Sequence, residues 1–296
     1  MPIKSLDEIL DKALEKRNGI KLAIAAAEDE YVIKAALKAR DMGLVEPVFV
    51  GDSNQIKNLN QTIKDEEIRH VSDAESAAKM AVNLVRKGDA NMLMKGLIPT
   101  NIFLRQVLNK ESGISEKNIL SHLAIFETTA YHKIFGVTDA ALNIAPSLNE
   151  KISIIENSVE ALHKLGNKNP KVALLSSVEK VSAKIASSAE AAMLAMMNKR
   201  GQIRDCIVDG PLALDAAISS ESARHKGIDS TVAGDADLLV VPEIDSGNIL
   251  YKCLTYLAGA KTAAVILGAM APVILTSRSD SEENKLYSIA LAICLG

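Results

Sequence analysis

Two periods of apolar spacing alternate along the chain. Helical spacing covers 5–17 (Leu6, Ile9, Leu10, Ala13, Leu14), closed by Asn18-Gly19, and recurs at 29–42, 53–60 and 73–87. In the last of these, Ala77, Ala78, Ala81, Leu84 and Val85 share one face. Between the helices stand short apolar runs of strand length at 21–27, 46–50, 68–71 and 91–95, and a helix is expected at 100–109. Strand–helix alternation at this spacing predicts a parallel sheet with helices on both faces. A less regular region holds candidate strands at 120–127 and 134–138. The alternation then resumes with helix 149–165, strand 171–175, a long helix 178–199, strand 206–208, a turn at Asp209-Gly210-Pro211 and two short helices near 212–226. Strand 237–241, helix 248–258 and strand 263–267 follow. A last apolar run, Val273 to Leu275, stops at Thr276-Ser277-Arg278-Ser279, before Leu286, Ile289, Ala290 and Ile293 at helical spacing.

Composition narrows this picture. The 296 residues are 48% apolar, enough for one large domain or two ordinary ones. Aromatics are only 3% and Trp is absent, so Ala, Val, Ile, Leu and Met must build the core, as in layered helix and parallel-sheet proteins. A net charge of −3 with both signs scattered argues against nucleic-acid and membrane surfaces. The charge-free stretch 262–277 is shorter than the ~20 residues of a membrane span and contains Gly268 and Pro272. The first residues carry no signal-peptide core. Cys206, Cys253 and Cys294 are widely spaced in apolar runs, which predicts buried, reduced thiols in a cytoplasmic protein.

In open parallel sheets ligands collect beyond the carboxyl ends of the strands. The loops to examine are therefore Lys95-Gly96 through Thr100, Thr138-Asp139, Ser176-Ser177, Asp209-Gly210-Pro211, Glu243 through Asn248, and Ser277-Arg278. The last of these joins a strand to a helix. A helix N-terminus offers N–H donors and partial positive charge, and Arg278 adds a forked donor matched to phosphate or carboxylate. The other loops are expected to converge on it. Each residue also has a structural reading. Lys95 is either a solvated strand end or an anion ligand beside the small Gly96. Asp209-Gly210 is either a plain turn or a site. Asp245-Ser246-Gly247-Asn248 can cap helix 248–258. Asp280 with Glu283 fits a capping box as well as a catalytic carboxylate pair. The sequence contains no Gly-x-Gly-x-x-Gly, no P-loop, no Gly-x-Ser-x-Gly and no His-x-x-x-His, so no metal site is expected.

Several segments together resemble the phosphate acetyltransferase/phosphate butyryltransferase family. They are Val137-Thr138-Asp139-Ala140-Ala141-Leu142-Asn143, Asp209-Gly210-Pro211-Leu212-Ala213-Leu214-Asp215, Ala233-Gly234-Asp235-Ala236-Asp237-Leu238 through Asn248, Tyr251-Lys252 and Thr276-Ser277-Arg278. The resemblance runs from end to end. Lys95-Gly96-Leu97-Ile98-Pro99-Thr100, Ser121-His122-Leu123-Ala124-Ile125-Phe126-Glu127 and Asn143-Ile144-Ala145-Pro146 look like the butyryl branch. The resemblance implies an α/β fold of two Rossmann-like three-layer domains with parallel-dominated sheets and an interdomain cleft. It places 1–119 plus 270–296 in one domain and 120–269 in the other. It also implies acyl transfer between coenzyme A and inorganic phosphate, with coenzyme A as substrate, no prosthetic group or metal, and a homo-oligomer.

Carried over residue by residue, Ser277 and Arg278 match the serine and arginine that bind acyl-phosphate oxygens, and Arg105 matches an arginine near the substrate. The family's catalytic aspartate falls at Asn284, and another substrate arginine is replaced near Thr255. The proton acceptor for the thiol is therefore sought in Asp280 first and Glu283 second. Lys95, Thr100, Asp139, Asn143, Asp209, Glu243, Asp245 and Asn248 complete the candidate substrate contacts. Two competing classes are an oxidative decarboxylase of similar architecture and a non-catalytic acyl-CoA-binding protein.

Overall fold

A computed structural model describes residues 3–16, 19–277 and 280–296. The chain forms two compact units, called central and flanking by their order in the sequence: a central one of Met1–Leu6 with Ile119–Thr262 and a flanking one of Asp7–Asn118 with Ala263–Gly296. The units part after Leu6, Asn118 and Thr262.

The first stretch alternates as α1 (Leu6–Glu15), β1 (Lys21–Ala25), α2 (Glu30–Asp41), β2 (Glu46–Gly51), α3 (Ser53–Leu59), β3 (Ile68–His70), α4 (Ala74–Arg86), β4 (Met92–Lys95) and α5 (Thr100–Val107). Helices α2, α3 and α4 start on acidic caps: Asp29, Asp52 and Asp73 each accept a backbone N–H of the first turn. The central unit contributes β5 (Ser121–Glu127), β6 (Phe135–Thr138), α6 (Leu148–Lys164), β7 (Lys171–Leu175), α7 (Ala186–Lys199), β8 (Ile207–Leu212), α8 (Leu214–Ile218), α9 (Ser220–His225), β9 (Leu238–Val240) and α10 (Ile244–Lys252). The chain closes with β10 (Lys261–Leu267), β11 (Val273–Ile274) and α11 (Glu282–Leu295).

Strand order in the flanking unit is β3-β2-β1-β4-β11-β10, parallel except for β10 against β11. In the central unit it is β5-β6-β9-β7-β8, parallel except for β5 against β6. Both cores are aliphatic. The β1 segment Leu22 through Ala27 is sealed from solvent, and so is nearly all of α11. That explains why α11 is apolar all round.

Four sequence expectations change. The helix expected at 178–199 begins only at Ala186, because the Ser188 hydroxyl and the Ser182 backbone bond each other and hold the preceding segment in turns. Asp209-Gly210-Pro211 is not a turn but lies inside β8, an edge strand, where a proline removes no ladder bond that the sheet needs. The helix expected at 248–258 starts at Ile244 and passes into a π-helical turn, Cys253–Leu257. Cys206 and Cys294 are buried, but Cys253 is exposed on that turn, beside outward-facing Tyr256 and Leu257. Among the described residues no helix is long and apolar enough to cross a membrane.

Candidate active site

In the flanking unit β4 and β11 run side by side, with Val273 opposite Leu93 and Ile274 opposite Met94, so both strands deliver their following loops to one edge. Lys95 ends β4 and is 5% exposed. It is not a solvated end: its Nζ donates to the carbonyls of Gly96 (3.2 Å) and Ile98 (3.0 Å). Gly96 is required here, since a Cβ would stand 2.1 Å from the Ala26 carbonyl oxygen. Thr100 opens α5 behind the N-cap residue Pro99, whose side chain has no group to cap the helix. Arg105 lies on the exposed face of α5, 4.0 Å from Glu75.

The turn between β11 and α11 closes on itself. The Ser277 N–H donates to Asp280 Oδ2 at 2.7 Å, and the Asp280 N–H donates to the Ser277 carbonyl at 3.2 Å. Asp280 is 3% exposed. The helix cap is Ser281, whose hydroxyl accepts from the Asn284 N–H at 3.1 Å. The capping box expected from Asp280 and Glu283 does not form, because the helix starts one residue later and the Asp280 carboxylate turns back to Ser277. Glu283 is exposed and accepts from the Tyr287 phenol at 3.3 Å. Arg278 lies outside the described residues. Lys285, absent from the sequence-derived candidates, is buried beneath this turn.

The central unit gathers a second group. Asp139 Oδ1 accepts from the N–H groups of Ala141 (3.0 Å) and Leu142 (2.9 Å), and its Oδ2 from the His122 N–H (3.0 Å) and Asn143 Nδ2 (2.6 Å). Asn143 Nδ2 also donates to the Leu120 carbonyl. Glu243 caps α10, accepting from Asp245 N–H (2.7 Å) and Ser246 N–H (2.8 Å), and the Ser246 bonds hold its carboxyl below the ordinary range. Asp245 and Asn248 are exposed on the first turn of α10, where Asn248 Nδ2 reaches the Ala140 carbonyl at 3.4 Å. Gly247 permits this approach, since a Cβ there would stand 2.8 Å from the Asp139 carbonyl oxygen. Asp139, Asn143, Glu243 and Asn248 thus form one cluster. Asp209 stands apart from them on edge strand β8, accepting from the Gly210 N–H and lining a cavity of about 530 Å³ with Glu179 and Lys226.

His122 heads β5 and is 2% exposed, with no partner at Nδ1. Burial pushes its imidazole pKa down, against the pull of Asp139. The sequence signal for it was its place in the Ser121–Glu127 stretch. The signal for Lys285 was a single cation immediately before the mostly apolar run 286–295.

The chain is similar to known proteins of one family. The family model described as phosphate acetyl/butaryl transferase matches residues 66–293. A phosphate butyryltransferase of Clostridium acetobutylicum is 46% identical over 294 residues, 98% of this chain and 97% of that protein. A probable phosphate butyryltransferase of Bacillus subtilis is 48% identical over 291 residues, 98% of this chain and 97% of that protein. The crystal structure of a branched-chain phosphotransacylase from Enterococcus faecalis superposes with a TM-score of 0.82 at 38% identity, covering 93% of this chain and 98% of that one. With a family model matched over 66–293 and relatives matched over nearly their whole length, the chain belongs to the phosphate acetyl/butyryl transferase family.

Proposed function

We propose that this enzyme is a phosphate acyltransferase of the butyryl type, catalysing butyryl-CoA + phosphate ⇌ butyryl phosphate + CoA, and that its two α/β units are Rossmann-like domains. The single observation that carries the reading is the turn Ser277 to Asp280 at the head of α11, closed by reciprocal bonds between its first and last residues. Such a turn places Ser277 beside the positive end of a buried helix, where phosphate oxygens are best held, and Arg278 follows Ser277 in the sequence.

In the direction of acyl-CoA synthesis, the thiolate of CoA attacks the carbonyl carbon of the acyl phosphate. The carbonyl π electrons move to oxygen, the C–S bond forms, and collapse expels phosphate as the C–O bond breaks. Ser277 donates to the oxygen on which charge builds. Arg278 holds the phosphate. Asp280, the carboxylate nearest in sequence to Ser277, takes the thiol proton, because only the thiolate is a competent nucleophile. Positioning both substrates in one complex supplies much of the rate. No bond to the protein forms. Lys95, Thr100, Arg105, Asn143, Asp209, Asp245 and Asn248 are the further residues proposed to line the substrates, and Asp139 and Glu243, filled with backbone donors, hold their loops.

The test is phosphate-dependent release of free thiol from acetyl-, propionyl-, butyryl- and branched acyl-CoA. Fastest release from butyryl-CoA is expected. A preference for acetyl-CoA moves the chain to the acetyl type, and no phosphate-dependent release from any ester refutes acyl transfer. Incubation with labelled acyl-CoA alone should leave the protein unlabelled.

A further inference from the structure

Lys285 is 1% exposed and lies in the first turn of α11. Both facts are unfavourable. A buried ammonium loses its hydration, and a cation in the first turn of a helix faces the positive end of the macrodipole. The chain compensates with specific partners. Lys285 Nζ donates to the carbonyl of Asp280 at 2.7 Å and to the carbonyl of Ser277 at 3.1 Å, while the Tyr31 ring lies 6.0 Å away. Burial pushes the Lys285 pKa down, and the carboxylates of Asp280 and Asp29 oppose that shift.

The two carbonyls belong to the first and last residues of the turn that holds the proposed acyl-phosphate site. The Ser277 carbonyl accepts from both the Asp280 N–H and Lys285. Lys285 thereby holds the carbonyls at the two ends of the turn from a position eight residues beyond Ser277. A helix head could be stabilised more simply by an uncharged residue, since Ser281 already caps it. What the protonated amine adds is positive charge under a turn proposed to bind an anion.

We propose that Lys285 is a positioning residue for acyl transfer: its ammonium ties the Ser277 and Asp280 carbonyls together, sets the Ser277 hydroxyl toward the acyl phosphate, and lends positive charge to the phosphate site. This rests on the reading of the 277–280 turn as that site.

The experiment is a double-mutant cycle between Lys285→Met and Ser277→Ala, with Lys285→Arg as the conservative variant. Thiol release from butyryl-CoA is measured against phosphate concentration, and melting temperature is recorded for each protein. Lys285→Met should keep a folded protein, lower kcat at least 30-fold and raise KM for phosphate. Lys285→Arg should recover part of the loss. Because Lys285 acts through Ser277, the double variant should be scarcely worse than the worse single one. If Lys285→Met does not fold, Lys285→Gln, which retains one donor but no charge, enters the same cycle. Wild-type kcat and KM in folded Lys285→Met or Lys285→Gln, or fully multiplicative losses in the cycle, overturn the proposal. Wild-type activity in Ser277→Ala instead overturns the reading of the turn on which the proposal rests.

Discussion

At the ends of β4 and β11 the loops are held by ammonium groups, and at the ends of β6 and β9 by carboxylates. Lys95 and Lys285 donate to four carbonyls of their loops. Asp139 and Glu243 do the opposite, collecting N–H groups from the turn after β6 and from the head of α10. The difference is chemical as well as geometric. An ammonium occupies acceptors and leaves positive charge, whereas a carboxylate occupies donors and leaves negative charge. Phosphate carries only acceptors at its charged oxygens, so the lysine-held edge suits it and the carboxylate-held edge does not. Asp139 and Glu243 are thereby better explained as the frame of their loops, which accords with the phosphate end of the reaction proposed at the 277–280 turn.

Arg278→Ala should test this division with the largest effect. Turnover with phosphate or acyl phosphate is expected to fall at least ~10²-fold, the scale of losing a donor to developing charge, with little change in melting temperature. Near-wild-type turnover would take Arg278 out of the site. Asp280→Asn keeps an acceptor for the Ser277 N–H but removes the proton acceptor, so kcat should fall by roughly 10²-fold. A lowered melting temperature with unchanged kcat would reassign Asp280 to holding the turn.

On the other edge the expected loss is in stability. Asp139→Ala strands the N–H groups of His122, Ala141 and Leu142 and should cost about 3 kcal/mol, or roughly 6–12 °C in Tm, with activity per folded molecule preserved. Lost activity at unchanged Tm would place Asp139 on the substrate and break the contrast. The smallest effect belongs to Asp235, at the amino ends of the central strands, where it meets Lys133, Lys171 and His132. Partial burial raises its pKa, but these hydrogen bonds outweigh it and hold the carboxyl well below the usual range. The depressed value stabilises the fold above the unfolded pKa of about 3.9 and is lost as pH falls below it. Asp235→Asn should lower Tm by a few degrees at about pH 7 and flatten the acid limb of the stability curve, a change read by melting between about pH 2 and pH 7. An unaltered acid limb would show that these pairs do not stabilise the fold.

The parts of the fold that could be read in the sequence follow local rules. Strand and helix periods located β1 through β4 and the helices between them, because each buries one face whose spacing is visible in a short window. The start of α7 was misplaced because a single hydroxyl, Ser188, decides it through contacts that periodicity does not encode. Asp209-Gly210-Pro211 read as a turn because edge position, which makes proline tolerable in a strand, is a property of the whole sheet.

For the site, the sequence by itself determined the chemical class: hydroxyl and arginine between a strand and a helix, together with family segments in order. It also named Ser277, Asp280, Lys95 and Asp139, since residue type and place after a strand suffice for that. Only the tertiary structure decided what these groups touch. It turned Asp280 from a helix cap into the partner of Ser277, turned Lys95 from a strand end into a loop staple, and filled Asp139 with donors. It also brought Lys285 under the turn. The physical reason is that a hydrogen bond depends on where backbone carbonyls and amides point, and that direction is set only when the strands have paired and α11 has been buried.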